Sequence, residues 1–180
     1  KNGFRKIPHA WRALKGWRKL CPSRSRLAYP LPLWCGIAWR MIARGHLQKG
    51  VFNLLQLSTY HRPSTLLKLK KMGLVPPTSG VTGTWSILTS LTETSDISKT
   101  GTKDDAVLLD SPFLDFIEPV LRRLAKGPPL APVWTFTYPE YLEVFNQCAK
   151  DLKVEVVPYQ ARHSGPSIDY AAKLRTLEEI

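Results

Sequence analysis

Hydrophobic positions repeat with two different periods along this chain, and the change of period divides it. Up to about residue 72 the apolar residues return every three or four positions, the spacing of helices with one buried face. The spacing predicts a helix over 33–45, introduced by Pro30 and Pro32, with Ile37, Met41 and Ile42 inward, Arg40 and Arg44 elsewhere, and Gly45 or Gly50 as punctuation. A second helix over 51–58 leads to a junction at Arg62. A third over 63–71 leaves it, beginning at Pro63, where a missing N–H is tolerated. From Gly73 the texture changes. Residues 75–80 read as loop, and the Thr-, Ser-, Ile- and Val-rich residues beyond predict short antiparallel strands over 85–91, 95–100 and 106–109, with the turn at 101–105 leaving Lys99 at a hairpin tip. Helical spacing then resumes. Asp110 or Ser111 caps a helix over 112–126, whose apolar side is Phe113, Phe116, Ile117, Val120, Leu121 and Leu124. Thr137 or Tyr138 opens another over 139–152, residues 154–158 are extended, and a helix follows the box at 159–167 to about Leu174, with a new one starting at Thr176. The fold class is α+β, mainly helical with a small three-stranded antiparallel sheet.

Residues 1–26 read as a basic helix and a Cys-Pro-Ser-Arg-Ser-Arg linker, and 27–180 as the main domain. Trp11 and Trp17, set between positive charges, can lie against a nucleic-acid backbone. At helical spacing with Leu14 they can equally form a buried stripe. Because the chain begins with Lys1, it is expected to be a piece of something longer.

Composition is globular, with 43% hydrophobic and 22% charged residues, and the 15 prolines imply long irregular connections. Charge distribution changes the picture more. Residues 1–92 hold 16 of the 26 Lys and Arg and no acid, leaving 10 bases against 14 acids in the remainder. A field so one-sided is the footprint of a polyanionic partner and predicts salt-sensitive association. Cys21, Cys35 and Cys148 form neither a disulfide framework nor a zinc-ligand spacing. The longest apolar run, 27–39, carries two prolines and is too short to span a bilayer, so no membrane partner is expected.

Three features carry the candidate chemistry: Arg62 at a helix start in Thr59-Tyr60-His61-Arg62-Pro63-Ser64-Thr65-Leu66-Leu67, Lys99 in Ile-Ser-Lys-Thr-Gly, and Arg162-His163 in a box entering a helix. Their order and setting resemble the catalytic domain of the tyrosine recombinase (phage integrase) family, with a flavour closest to integrase-like domains of eukaryotic mobile elements. The resemblance covers about residues 30–180. It implies an integrase-like catalytic domain in which Arg62 is the first arginine, Lys99 the hairpin lysine and Arg162 the second arginine. His163 becomes structural support, and 1–26 the exit from a DNA-clamping domain. Elementary chemistry agrees. Attack on a phosphodiester gathers negative charge on the non-bridging oxygens, which planar, permanently charged guanidiniums grip bidentately. A lysine can give up a proton, which suits Lys99 to protonate the leaving 5′ oxygen.

Two departures stand out. The family places a histidine three residues before the second arginine, and here Tyr159 stands there; a phenol can donate to a phosphate but is a poor base near neutral pH. The nucleophilic tyrosine is expected a few tens of residues beyond Arg162, past Ile180. Tyr170 is too close to serve, so no nucleophile is assigned. The expected function is therefore DNA breaking and rejoining, as in recombination or integration, through a 3′-phosphotyrosyl intermediate, by a piece lacking its nucleophile. The alternative is a non-catalytic DNA-binding protein that keeps the recombinase fold, and a third reading is an RNA-binding domain of unrelated fold. Lys68, Lys70 and Lys71 on the third helix, with Arg40 and Arg44, are the candidate DNA contacts outside the catalytic set. The expected partners are double-stranded DNA and other recombinase protomers, with no cofactor or metal. The expected location is nuclear in a eukaryote and otherwise cytoplasmic, at the nucleoid.

Overall fold

The computed structural model describes residues 8–20, 27–78, 80, 83–89 and 106–178. Among them are seven α-helices: α1 (Pro8–Leu20), α2 (Leu31–Ala43), α3 (Leu47–Thr59), α4 (Pro63–Leu67), α5 (Glu118–Leu124), α6 (Tyr138–Asp151) and α7 (Ala161–Ala171). Three short strands, β1 (Leu74–Val75), β2 (Ser86–Leu88) and β3 (Ala106–Leu108), form one antiparallel sheet in the order β1-β2-β3. The fold is α+β and mainly helical.

Helix α3 is the axis of the molecule. Every residue from Gly50 to Thr59 is buried, so the helix is enclosed on all sides. It begins at Leu47, four residues ahead of the apolar run that announced it, because Gln48 and Lys49 reach out to other segments. Gln48 accepts from the Thr135 N–H at 3.1 Å, and Lys49 donates to the Glu140 carbonyl at 2.9 Å. The polar side chains buried inside α3 each make a hydrogen bond, as burial demands, although the Gln56 Oε1 is left without a partner. Asn53 donates to the Trp34 carbonyl (3.3 Å) and accepts from the Tyr141 hydroxyl (3.1 Å), and the Gln56 amide donates to the Pro158 carbonyl at 2.6 Å. Ser58 and Thr59 both donate to the Leu55 carbonyl.

Helix α2 turns into α3 through Gly45, whose φ of +84° suits a residue without a side chain, and lies close against it at Gly50. Phe52 stands in an aromatic cluster with Trp134, Phe136 and Tyr141 at centroid distances of 5.2, 5.5 and 4.8 Å; such edge-to-face pairs add ~1 kcal/mol each beyond simple burial. Helix α6 starts where Thr137 gives its N–H to the Glu140 carboxylate at 2.7 Å, which holds that carboxyl below the usual carboxylate range.

Four expectations need correction. Helix α4 stops at Leu67 rather than Lys71, because the next residues pair with a distant segment. The N–H groups of Lys71 and Met72 go to the carbonyls of Ala131 and Pro129, and the Leu69 carbonyl accepts from Val133. The expected helix over 112–126 is split into a 3-10 segment, Pro112–Ile117, and α5, since Pro119 has no N–H to continue an α-helical ladder; Phe116 is exposed, not inward. Leu74–Val75, read as the approach to a loop, is the strand that pairs with Ser86–Ile87. Residues 177–178 form a turn, so no helix starts at Thr176 among the described residues. The strand expected over 95–100 and the turn carrying Lys99 lie outside the described residues. On α1, Trp11 and Trp17 are both exposed, which removes the buried-stripe alternative for them.

Candidate nucleic-acid active site

Arg62 owes its place to a bend between α3 and α4. Tyr60 closes α3 in the left-handed region, with φ 56° and ψ 14°, His61 is buried beside Thr89, and Arg62 is extended with φ −66° and ψ 144°. Pro63 then starts α4, whose first turn closes on the Arg62 carbonyl through the N–H groups of Thr65 and Leu66 at 3.0 and 3.1 Å. Leu66 is fully buried and its carbonyl takes the indole N–H of Trp134 at 2.8 Å. The backbone of Arg62 is thus fixed on both sides while its side chain stays exposed.

Arg162 sits in the first turn of α7, one turn ahead of Gly165. The approach is clipped by Gln160, which accepts from the Val157 N–H at 2.9 Å and donates to the Leu27 carbonyl at 3.1 Å. Ser164 accepts the Tyr29 N–H at 2.8 Å. Tyr159, in the place expected for a histidine, meets the His163 ring edge-on at 5.5 Å. His163 is exposed and Arg162 half-buried.

The two segments touch. A Cβ added at Gly165 would overlap the Leu57 carbonyl oxygen and come within 2.7 Å of the Tyr60 ring, so only glycine allows α7 to lie this close to the end of α3. Arg62 is two residues past Tyr60 and Arg162 three before Gly165, and chain dimensions hold their Cα atoms within roughly 20 Å.

A polar network absent from the sequence reading ties the same two segments. The Tyr60 hydroxyl donates to the Asp169 carboxylate, which is buried on α7, and Arg175 joins Asp169 (3.4 Å) to Asp110 at the end of β3's strand segment. Burial, and then the hydrogen bond to Asp169, push the Tyr60 phenol well above its ordinary pKa, so it stays a donor. Position next to Arg62 was the only sequence signal for Tyr60; Asp169 and Arg175 carried none.

The arginines differ in their partners, and Arg12 and Arg123, like the two candidates, form no ion pair among the described residues. Arg40 and Arg44 on α2 both reach Asp151, at 3.6 and 2.5 Å, and Arg122 pairs with Glu118 one turn earlier. Arg62 and Arg162 pair with no carboxylate among the described residues. The lysines of the expected third helix are spread over different settings. Lys68 caps α4 and is exposed, Lys70 bridges to Pro132, and Lys71 donates its ammonium to the Lys126 carbonyl. Lys99 lies outside the described residues.

Cys35 and Cys148 are free thiols, no cluster of His, Cys, Asp and Glu that could hold a metal occurs among the described residues, and none of their helices is long and apolar enough to cross a membrane. No family model matches the chain, and neither a curated protein nor a solved structure matches it.

Proposed function

We propose that this chain is the phosphate-gripping core of a DNA breaking-and-rejoining domain of the tyrosine recombinase kind, working on double-stranded DNA. The observation that carries the reading is the pair Arg62 and Arg162. They stand on two segments packed against each other at Gly165, and among the described residues neither has an acid partner where Arg40, Arg44, Arg122 and Arg175 each have one. Two guanidiniums held on rigid backbone can share the non-bridging oxygens of one phosphate and take up the charge that builds in the transition state. The acid-free first 92 residues supply the long-range attraction that brings DNA to them.

In this reading a tyrosine oxygen attacks phosphorus, the bond from phosphorus to the 5′ oxygen breaks, and Lys99 protonates that oxygen as it leaves. The product is a 3′-phosphotyrosyl link, and the reverse attack by a 5′ hydroxyl rejoins the strand, so neither cofactor nor external energy enters. The resemblance puts the attacking tyrosine beyond Ile180, and Tyr159 donates a hydrogen bond to the phosphate rather than acting as a base.

The second reading, a DNA-binding protein of the same fold without chemistry, is favoured by Tyr159 in the histidine position. A nicked suicide duplex separates the two. The 180-residue chain is expected to bind it without a covalent adduct, and the chain continued to a downstream tyrosine to give a denaturation-resistant adduct that Arg62→Ala or Arg162→Ala abolishes. Binding without an adduct from the longer chain would leave the non-catalytic reading, and no binding by either would remove both.

A further inference from the structure

We propose that Tyr60, Asp169 and Arg175 are positioning residues that hold the Arg62 junction in register with Arg162 on α7. The inference rests on the phosphate-gripping reading above and deepens it. Tyr60 is two residues from Arg62 and is one of three non-glycine residues with positive φ in the described chain. A bulky aromatic residue in that region is held there at a cost of about 1 kcal/mol or more, so something must over-determine it. Two restraints do so: the ring is pressed onto Gly165, and the hydroxyl ends on Asp169 one turn further along α7. Asp169 is itself held by Arg175, which is anchored to Asp110 beyond the sheet. The helix that carries Arg162 therefore grips the bend that carries Arg62, through a ring contact and a charge-assisted hydrogen bond. Neither Tyr60 nor Asp169 need touch DNA to do this. Asp169 is buried and Tyr60 is half-buried against α7, and the phenol keeps its proton, and so stays a donor, well beyond neutral pH.

The test is a double-mutant cycle on affinity for a short duplex, read by fluorescence anisotropy at fixed salt, with each variant at a temperature where circular dichroism shows it folded. Tyr60→Phe keeps the ring and removes the hydroxyl. Asp169→Asn keeps the shape and removes the charge, and it serves should Tyr60→Phe prove too unstable. Each is expected to weaken binding about fivefold in the wild-type background, the size of one ordinary lost hydrogen bond. In the Arg62→Ala background the same substitutions should change affinity by less than about twofold, because the residue they position is gone. A merely structural role leaves the loss equal in both backgrounds, and that result overturns the inference. Wild-type affinity in Tyr60→Phe and Asp169→Asn, with Arg62→Ala weakened, overturns the inference alone. Wild-type affinity in Arg62→Ala itself removes the phosphate-gripping reading and the inference with it.

Discussion

The face made by α2 and α6 and the face made by the α3–α4 bend and α7 each carry two arginines, yet they use them in opposite ways. On the first, Arg40 and Arg44 close on Asp151 and their charge is spent inside the molecule. On the second, Arg62 and Arg162 are held on fixed backbone with no carboxylate to answer them among the described residues. A count along the sequence scores all four alike. Under the proposed function, the pairing pattern separates cations already matched to an acid from cations whose charge is left for a phosphate.

The strongest way to break the second face is to separate its two segments. Gly165→Ala forces α7 off the Leu57 carbonyl and the Tyr60 ring, and about 4 kcal/mol of stability should be lost in urea melts. Gly50→Ala, at the α2–α3 contact, meets the Ile42 side chain at 2.6 Å and the Ala38 carbonyl at 2.8 Å. It should cost about half as much, since part of the strain can be relieved by an isoleucine rotamer. Equal costs would mean that the close approach at Gly165 is not special.

Next in size is the contrast in DNA affinity. Arg62→Ala and Arg162→Ala should each weaken duplex binding roughly tenfold and flatten the salt dependence by about one phosphate contact. Arg40→Ala and Arg44→Ala should each change it less than about twofold. Anisotropy titrations across a salt series read both quantities, and equal losses at all four positions would erase the distinction between the faces.

The contrast can be sharpened in the other direction. Asp151→Asn releases Arg40 and Arg44, and the freed charges should strengthen duplex binding about threefold and steepen its salt dependence. Stability should move by less than ~1 kcal/mol, because exposed ion pairs contribute little. Unchanged affinity would show that the α2 face does not meet DNA.

The smallest expected effect is on alkaline stability. Tyr60 and Tyr141 both have pKa values raised above the ordinary 10.0, chiefly by burial. The unfolded chain then loses its phenolic protons first, so their contribution is complete below about pH 10 and stability falls as pH rises beyond it. Tyr60→Phe should flatten that fall between pH 10 and 11 in thermal melts, and an unchanged fall would show that Tyr60 does not carry it.

Local features of this site were legible in the sequence, and features that depend on distant partners were not. Pro63 and the leucines after it placed Arg62 at a helix start, and α4 begins there. The extended 154–158 segment and the box entering a helix brought Arg162 near a helix start, though α7 begins inside the box, at Ala161, rather than after it, and ends at Ala171. Thr137 or Tyr138 ahead of residue 139 announced α6 to within a residue. By contrast, α4 ends early because residues 129–133 take over its hydrogen bonds, and β1 is too short to show alternation before Pro76. The Tyr60–Asp169 and Arg175–Asp110 contacts join side chains 109 and 65 residues apart, which no local pattern encodes.

The contacts that close the arginine bend also fix when it can exist. Tyr60 and Asp169 are 109 residues apart, and Tyr29 and Ser164 are 135 apart. During synthesis at about 5–20 residues per second, α3 and its bend wait roughly 5–20 s for the helix that completes them. Through that interval the emerged, acid-free segment already carries its full positive charge, so a nascent chain attracts polyanions before it has the geometry to grip one phosphate.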